Sequence, residues 1–333
     1  MDAAVLLKNR LFEQKIIEKQ NDIFFRDVIC GLSSNPKYLD SKYFYDAVGD
    51  KIFQEIMYCG EYYLTGCELE ILSNQSRYIA GTICSYLRDF DIVELGPGDA
   101  SKSINLLEAF CELGINYTYY PIDISENLIS SLEIELPQKL PGITVDGLNG
   151  DYIDMIDQLN DLTNKKKIVM FLGASIGNFL PAAAEEFLVK LRKKIHPGDL
   201  LLIGFDLKKN PKIILDAYND KQGITKSFNL NLLRRINNTL DADFDLKRFE
   251  HFPVYDPETG ACKSFLISLK DQTVHFGANT RILFSENESI LMEVSQKYTT
   301  GQVNRLSLNS GFKPVNNFFD SKKWFLDALW INE

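Results

Sequence analysis

Asp91-Ile92-Val93-Glu94-Leu95-Gly96-Pro97-Gly98 reads as a short buried strand ending in a glycine turn. A run this short and this apolar fits a strand covered on both faces, as in a parallel sheet. The following residues, from Ser101 through Leu106, Leu107 and Phe110, have helical spacing. Three more stretches repeat the pattern. Tyr117 to Ile122 ends in Asp123, and a helix from Ser125, a suitable N-cap, runs to Leu136. Ile168 to Leu172 ends in Gly173. A helix then opens near Pro181, presents Phe187, Leu188, Leu191 and Ile195 on one face, and stops at His196-Pro197-Gly198. Leu200 to Phe205 ends in Asp206. Strands alternating with helices predict an α/β fold, a parallel sheet with helices on both faces.

The flanks read differently. Residues 10 to 65 look helical and carry many aromatics, among them Tyr38, Tyr43, Phe44, Tyr45, Phe53, Tyr62 and Tyr63. A helical region from Lys212 to Leu240 precedes alternating segments near Phe252–Tyr255, Ser264–Leu269, Thr273–Phe276 and Ile290–Ser295. These predict a mixed α+β insertion. Gly311 to Trp330 reads as two strands joined near Asp320–Lys322.

Composition narrows the function. A net charge of −10 disfavours nucleic acid and anionic membrane surfaces, which call for clustered Lys and Arg. Six scattered cysteines without a Cys-x-x-Cys pair, and three scattered histidines, predict no metal site. They suit reduced, mostly buried thiols in a cytoplasmic protein. Met1 to Phe12 lacks the apolar stretch of a signal peptide, and no apolar run is long enough to cross a bilayer.

Ligands of open parallel sheets sit beyond the carboxyl ends of the strands. Gly96, Gly98, Asp123, Asp151 (in Gly150-Asp151-Tyr152), Gly173 and Asp206 all fall at such ends. Three readings compete for this geometry. A dinucleotide would use Gly-x-Gly-x-x-Gly to seat a pyrophosphate, but the third glycine position is Ser101 and Asp99 adds negative charge. S-adenosylmethionine has no phosphate, tolerates Glu94, and offers a ribose diol from which Asp123 can accept. A plain strand-to-helix turn, with Asp123 a solvated cap, binds nothing.

Further motifs carry a resemblance. They are Pro36-Lys37-Tyr38-Leu39, Tyr43-Phe44-Tyr45-Asp46, Glu61-Tyr62-Tyr63-Leu64-Thr65, Glu94-Leu95-Gly96-Pro97-Gly98 with Lys102, and Pro121-Ile122-Asp123-Ile124-Ser125. Downstream come Phe171-Leu172-Gly173-Ala174-Ser175-Ile176-Gly177-Asn178, Gly204-Phe205-Asp206-Leu207, Ala217-Tyr218-Asn219-Asp220, Phe228-Asn229-Leu230-Asn231, Ala242-Asp243-Phe244-Asp245 and Glu293-Val294-Ser295-Gln296-Lys297. In this order they resemble the histidine-specific Nα-methyltransferases of the ergothioneine pathway.

The resemblance implies a class I (Rossmann-like) S-adenosylmethionine methyltransferase sheet over residues 67–208 and 298–333. It also implies a discontinuous α+β substrate-binding domain over 12–66 and 209–297. Gly96, Lys102, Asp123, Asp151, Tyr152 and Gly173 are implied to surround the methyl donor. Asn178, Tyr218 and Tyr62 are implied to hold the α-amino and carboxylate groups of the acceptor as the catalytic set. Tyr45, Phe53, Glu293 and Ser295 are implied to surround its side chain.

The residue types suit those roles. Hydroxyls and an amide orient an amine without trapping it as an ammonium. A buried carboxylate at Glu293 would reject ligands that lack an N–H to pair with it. Each residue also has a plainer reading: Glu293 as an exposed strand acid, and Tyr45, Phe53 and Tyr62 as core aromatics. Relatives acting on tryptophan derivatives lack the acid at the Glu293 position. Ser264 stands where bacterial histidine enzymes tend to carry Met. The expectation is therefore a monomeric cytoplasmic enzyme making trimethylhistidine (hercynine). The alternatives are a sister enzyme for another aromatic amino acid or histidine-like metabolite, and a non-catalytic donor-binding protein.

Overall fold

The computed structural model describes residues 21–333. The reading of Met1–Phe12, and the start of the second domain at residue 12, lie outside them. The chain forms two compact units. The smaller comprises residues up to Ile56, Tyr218–Val254 and Lys263–Glu293; the larger comprises Met57–Ala217, Tyr255–Cys262 and Val294–Glu333.

The chain opens with α1 (21–33), β1 (Lys37–Tyr38) and α2 (Ala47–Met57). It continues through α3 (Tyr63–Tyr86), β2 (Phe90–Leu95), α4 (Ile104–Glu112), β3 (Thr118–Asp123) and α5 (Glu126–Lys139). Next come β4 (Thr144–Val145), β5 (Leu148–Asn149), α6 (Tyr152–Leu162), β6 (Lys166–Phe171), α7 (Pro181–Lys194), β7 (Leu200–Asp206) and α8 (Pro211–Ala217). The insertion holds α9 (Ile224–Leu240), β8 (Phe249–Tyr255), β9 (Ala261–Ser268), β10 (Gln272–Phe276), β11 (Thr280–Phe284) and β12 (Ser289–Gln296). The chain closes with α10 (Thr300–Asn309), β13 (Phe312–Phe319) and β14 (Phe325–Asn332).

In the larger unit an eight-stranded sheet runs β13-β14-β7-β6-β2-β3-β4, with β5 also pairing β3. Strands β2 to β7 pair parallel, whereas β14 joins β7 antiparallel and β13 joins β14 antiparallel. All residues of β2 and β7 are buried, as expected of strands covered on both faces. One core joins Val93, Leu95 and Val169 of the sheet to Ile156 and Leu159 of α6, Leu188 and Leu191 of α7, and Val303 and Leu306 of α10. On the other side, Phe90 meets Phe110 of α4 with ring centroids 5.3 Å apart.

The end signals work as expected: Ser125 Oγ accepts from Leu128 N–H, and Pro181 opens α7. Three details differ from the sequence reading. Helix α4 starts at Ile104, not Ser101, because Gly96, Gly98 and Ala100 adopt positive φ (66°, 56° and 54°) and lengthen the turn. The stretch Lys212–Leu240 is two helices, broken where Gly223 takes φ 73° and Asp220 accepts from Ile224 and Thr225 N–H. The cysteines form no disulfide, but only Cys59, Cys67 and Cys262 are buried, while Cys30 and Cys111 are exposed. The exposed pair lie on helix positions that face solvent, where a small apolar side chain costs little.

In the smaller unit a four-stranded sheet runs β1-β12-β9-β8, with β1 parallel to β12 (Lys37 opposite Ile290). Strands β10 and β11 form a hairpin. Phe244, Phe249, Phe276 and Phe284 pack edge-to-face and tilted around it, at centroid distances of 5.5–6.0 Å. No helix among the described residues is long and apolar enough to cross a membrane.

Candidate active site

The larger unit gathers the six donor-side residues at or just beyond the carboxyl ends of β2, β3, β5 and β6. Gly96 follows β2, and a Cβ there would stand 2.7 Å from Tyr152 Oη, so only glycine fits under that hydroxyl. The Tyr152 ring packs on Phe171 at 5.8 Å. Burial raises the Tyr152 phenol well above its ordinary pKa, helped by the nearby Asp123 and Asp151 charges. Asp151 caps α6 through Ile153 N–H at 3.0 Å, and Asp123 accepts from Ser125 N–H at 2.8 Å. Burial lifts the Asp123 carboxyl, against the pull of the Ser125 and Ile124 N–H groups.

This rim fits an adenosyl donor better than a dinucleotide. The Ser101 N–H, which would face a pyrophosphate, already donates to Asp99 Oδ1 at 3.0 Å. Asp123 and Asp151 add negative charge near Tyr152. An acid rim repels phosphate but welcomes a sulfonium and accepts from a ribose diol.

Lys102 and Gly173 are held together by a residue that the sequence reading passed over. Glu68, fully buried on α3, accepts from Gly173 N–H at 2.6 Å through Oε1 and from the Lys102 ammonium through Oε2. Burial works against the Lys102 charge, yet Glu68 more than offsets it, leaving its pKa above the ordinary value. A second acid, Asp327 of β14, is buried with neither carboxyl oxygen hydrogen-bonded. It lies opposite Gly204 of β7, where an added Cβ would stand 2.5 Å from Glu68 Oε1 and 3.2 Å from Asp327 Oδ1. Gly204 thus makes room for both carboxyls. Burial, then the Glu68 charge, push the Asp327 carboxyl well above its ordinary value, which favours its neutral form.

A second buried charge cluster lies at the end of β7. Asp206 sits between the Lys297 ammonium, at 2.7 Å, and that of Lys209, with Tyr63 Oη donating to it at 2.7 Å. Burial opposes its charge, and the two lysines overcome this to hold its carboxyl below the ordinary range. Lys297 Nζ also donates to Ser295 Oγ at 2.8 Å. Gly177 abuts the same segment: a Cβ there would stand 3.0 Å from the Gln296 carbonyl oxygen and 3.7 Å from Ser295 Oγ. Asn178, next in the chain, is exposed and ends the 3-10 turn Ser175–Asn178. Tyr62 stands at the start of α3, its N–H bonded to the Cys59 carbonyl at 3.0 Å. Tyr62 and Ser295, expected within 12–66 and 209–297, belong to this larger unit.

In the smaller unit Tyr45 and Phe53 meet edge-on at 5.6 Å, and both contact Phe228 of α9 at 5.8 Å. Arg235 Nη1 donates to the Tyr43 carbonyl at 2.9 Å, fixing the loop that presents Tyr45. Tyr218 is buried just past α8. Glu293 is half-buried on β12, while Ser264 is buried on the neighbouring strand β9.

Comparison with known proteins agrees with this arrangement. The family model described as "Histidine-specific methyltransferase, SAM-dependent" matches residues 24–332. A histidine N-alpha-methyltransferase of Mycolicibacterium smegmatis is 35% identical over 274 residues, covering 82% of this chain and 84% of that protein. One from Mycobacterium tuberculosis is 34% identical with the same coverage. The Ergothioneine biosynthesis protein 1 of Neurospora crassa is 33% identical over 88% of this chain but only 33% of its own length. The sheet, with its antiparallel β14 beside β7, is that of a class I (Rossmann-like) methyltransferase. The chain belongs to the family of histidine-specific, S-adenosylmethionine-dependent methyltransferases.

Proposed function

We propose that the chain transfers methyl groups from S-adenosylmethionine to the α-amino nitrogen of L-histidine, giving Nα,Nα,Nα-trimethylhistidine. The observation that carries this reading is the match to the histidine-specific family over residues 24–332, a span that includes every candidate residue. The donor supplies a methyl group on a cationic sulfur. Gly96, Asp123, Asp151 and Tyr152 bind its adenosine end, with Lys102 and Gly173 beside them.

Transfer to an amine is an in-line displacement, so the protein's work is chiefly positioning. Asn178, Tyr62 and Tyr218 orient the α-amino and carboxylate groups without fixing the amine as an ammonium. The proton lost by the amine passes to water. Glu293 accepts from an imidazole N–H, Ser295 complements it, and Tyr45 and Phe53 enclose the ring. Cysteines outside any disulfide support a cytoplasmic setting, and the net negative charge supports a protein that binds no nucleic acid.

Mass spectrometry after incubation with S-adenosylmethionine and a panel of amino acids tests the reading. Histidine gaining three methyl groups is the expected result. Methylation of tryptophan or tyrosine in its place points to a sister enzyme. Adenosylhomocysteine binding without any product points to a donor-binding protein. Either result overturns the proposal.

A further inference from the structure

Three facts converge on Glu68. It is the one acid on the buried stripe of α3, in phase with Leu64, Ile71 and Leu72. Its side chain is 0% exposed, whereas that of Lys102 is 19% exposed. Its two oxygens are divided between two different parts of the strand-end rim, the Lys102 ammonium and the Gly173 backbone N–H.

A carboxylate without solvent is costly unless both oxygens are satisfied, and here both are. Asp327 is the second carboxyl beside Gly204, and burial and the Glu68 charge disfavour its ionised form, which leaves the Glu68 charge to balance Lys102. The Lys102–Glu68 pair is thereby net neutral.

That neutrality matters at this place. A bare ammonium on the rim would repel a sulfonium, whereas a paired one offers hydrogen bonds without net charge. The second bond orients the Gly173 turn, whose φ of 73° leaves its conformation dependent on its partners. Lys102 keeps part of its surface open on the rim, so its remaining N–H groups can meet the donor's amino-acid carboxylate.

We propose that Glu68 is a positioning residue of the methyl-donor site, clamping Lys102 and the Gly173 turn in their donor-binding arrangement. The inference rests on the reading that the rim around Gly96 takes S-adenosylmethionine. It assigns to an interior helix residue a share of donor affinity that no residue touching the donor accounts for.

The test is calorimetry with adenosylhomocysteine on the wild type, Glu68→Gln, Lys102→Met and the double variant, with steady-state kinetics on each. Wild-type protein that fails to bind adenosylhomocysteine overturns the donor reading itself, before any variant is compared. Given wild-type binding, Glu68→Gln is expected to weaken it by about tenfold or more, the weight of a lost charge-assisted hydrogen bond. The KM for histidine should stay within about twofold, since the loss lies on the donor side. The double variant should bind no more weakly than Lys102→Met, because coupled residues fail to add.

Unchanged donor affinity in Glu68→Gln overturns the proposal. So do fully additive losses, or an equal rise in the KM for histidine. If Glu68→Gln lowers the folded fraction by circular dichroism, Glu68→Asp replaces it in the same cycle. It keeps the charge but withdraws the oxygens from Gly173, so weakened donor binding with an unchanged KM for histidine is expected, and unchanged donor affinity overturns the proposal.

Discussion

Tyr119 Oη donates to Glu94 Oε2 at 2.6 Å, tying the strand that ends in the glycine turn to its neighbour through a buried carboxyl. Burial pushes the Glu94 carboxyl up to about 7, although the Tyr119 and Ser103 hydroxyls and the Lys102 charge pull the other way. The folded chain therefore binds a proton that the unfolded chain releases near the ordinary value of 4.5. The stability this proton brings is fully present below about pH 4.5 and is lost as pH rises through about 7. Urea melts of Glu94→Gln should lack that loss, which in the wild type is on the order of 3 kcal/mol. Equal pH slopes in the two proteins would contradict it.

Asp327 has the same sign, because burial and Glu68 raise its pKa far above the usual range. Asp327→Asn keeps the neutral shape of the protonated acid. At about pH 8 the variant should be at least as stable as the wild type by chemical denaturation. A clear destabilisation at that pH would mean that the carboxyl is ionised in the folded chain.

Gly96→Ala places a methyl group 2.7 Å from Tyr152 Oη at φ 66°. The strained backbone should cost about 1–2 kcal/mol of stability. Adenosylhomocysteine affinity should fall with it. Adding Tyr152→Phe removes the clash but not the strain, so thermal melts should show only partial recovery. Full recovery would locate the whole cost in the contact.

Asp206 offsets two buried ammonium groups, and its lowered pKa means its contribution is present at neutral pH and lost as pH falls through the folded value. Asp206→Asn removes the carboxylate that pairs with Lys209 and Lys297 in the interior, and should cost about 3–5 kcal/mol. A loss below about 1 kcal/mol would show that water or another group already balances the lysines.

Glu293→Gln keeps the size of the side chain but removes the charge that the proposed function gives to the imidazole. The KM for histidine should rise by about tenfold or more, with adenosylhomocysteine affinity unchanged. A loss confined to the donor would remove Glu293 from the acceptor side.

The strand ends were legible because each signal is local. A continuous apolar run, a glycine at positive φ and a capping Ser or Asp act within a few residues, and Gly96, Asp123, Asp151 and Gly173 all carry such signals. Tyr45 and Phe53 were named from motif resemblance, but only folding shows them sharing Phe228, 175 or more positions downstream. Glu68 was missed even though α3 marks it: an acid in phase with Leu64 and Leu72 belongs to the buried stripe and needs a partner. Its partners lie 34 and 105 residues away, so spacing alone could not supply them.

The order of strands and helices, the glycine turn and the acid rim follow from the sequence, because hydrophobic period and turn chemistry are decided by near neighbours. The charge states do not. Whether Glu94 and Asp327 favour their protonated forms, and Lys102 and Asp206 their charged ones, depends on which distant groups the packed sheet and helices bring within a few ångströms. In a water-poor interior those few contacts outweigh the intrinsic chemistry of each side chain, so only the tertiary structure decides them.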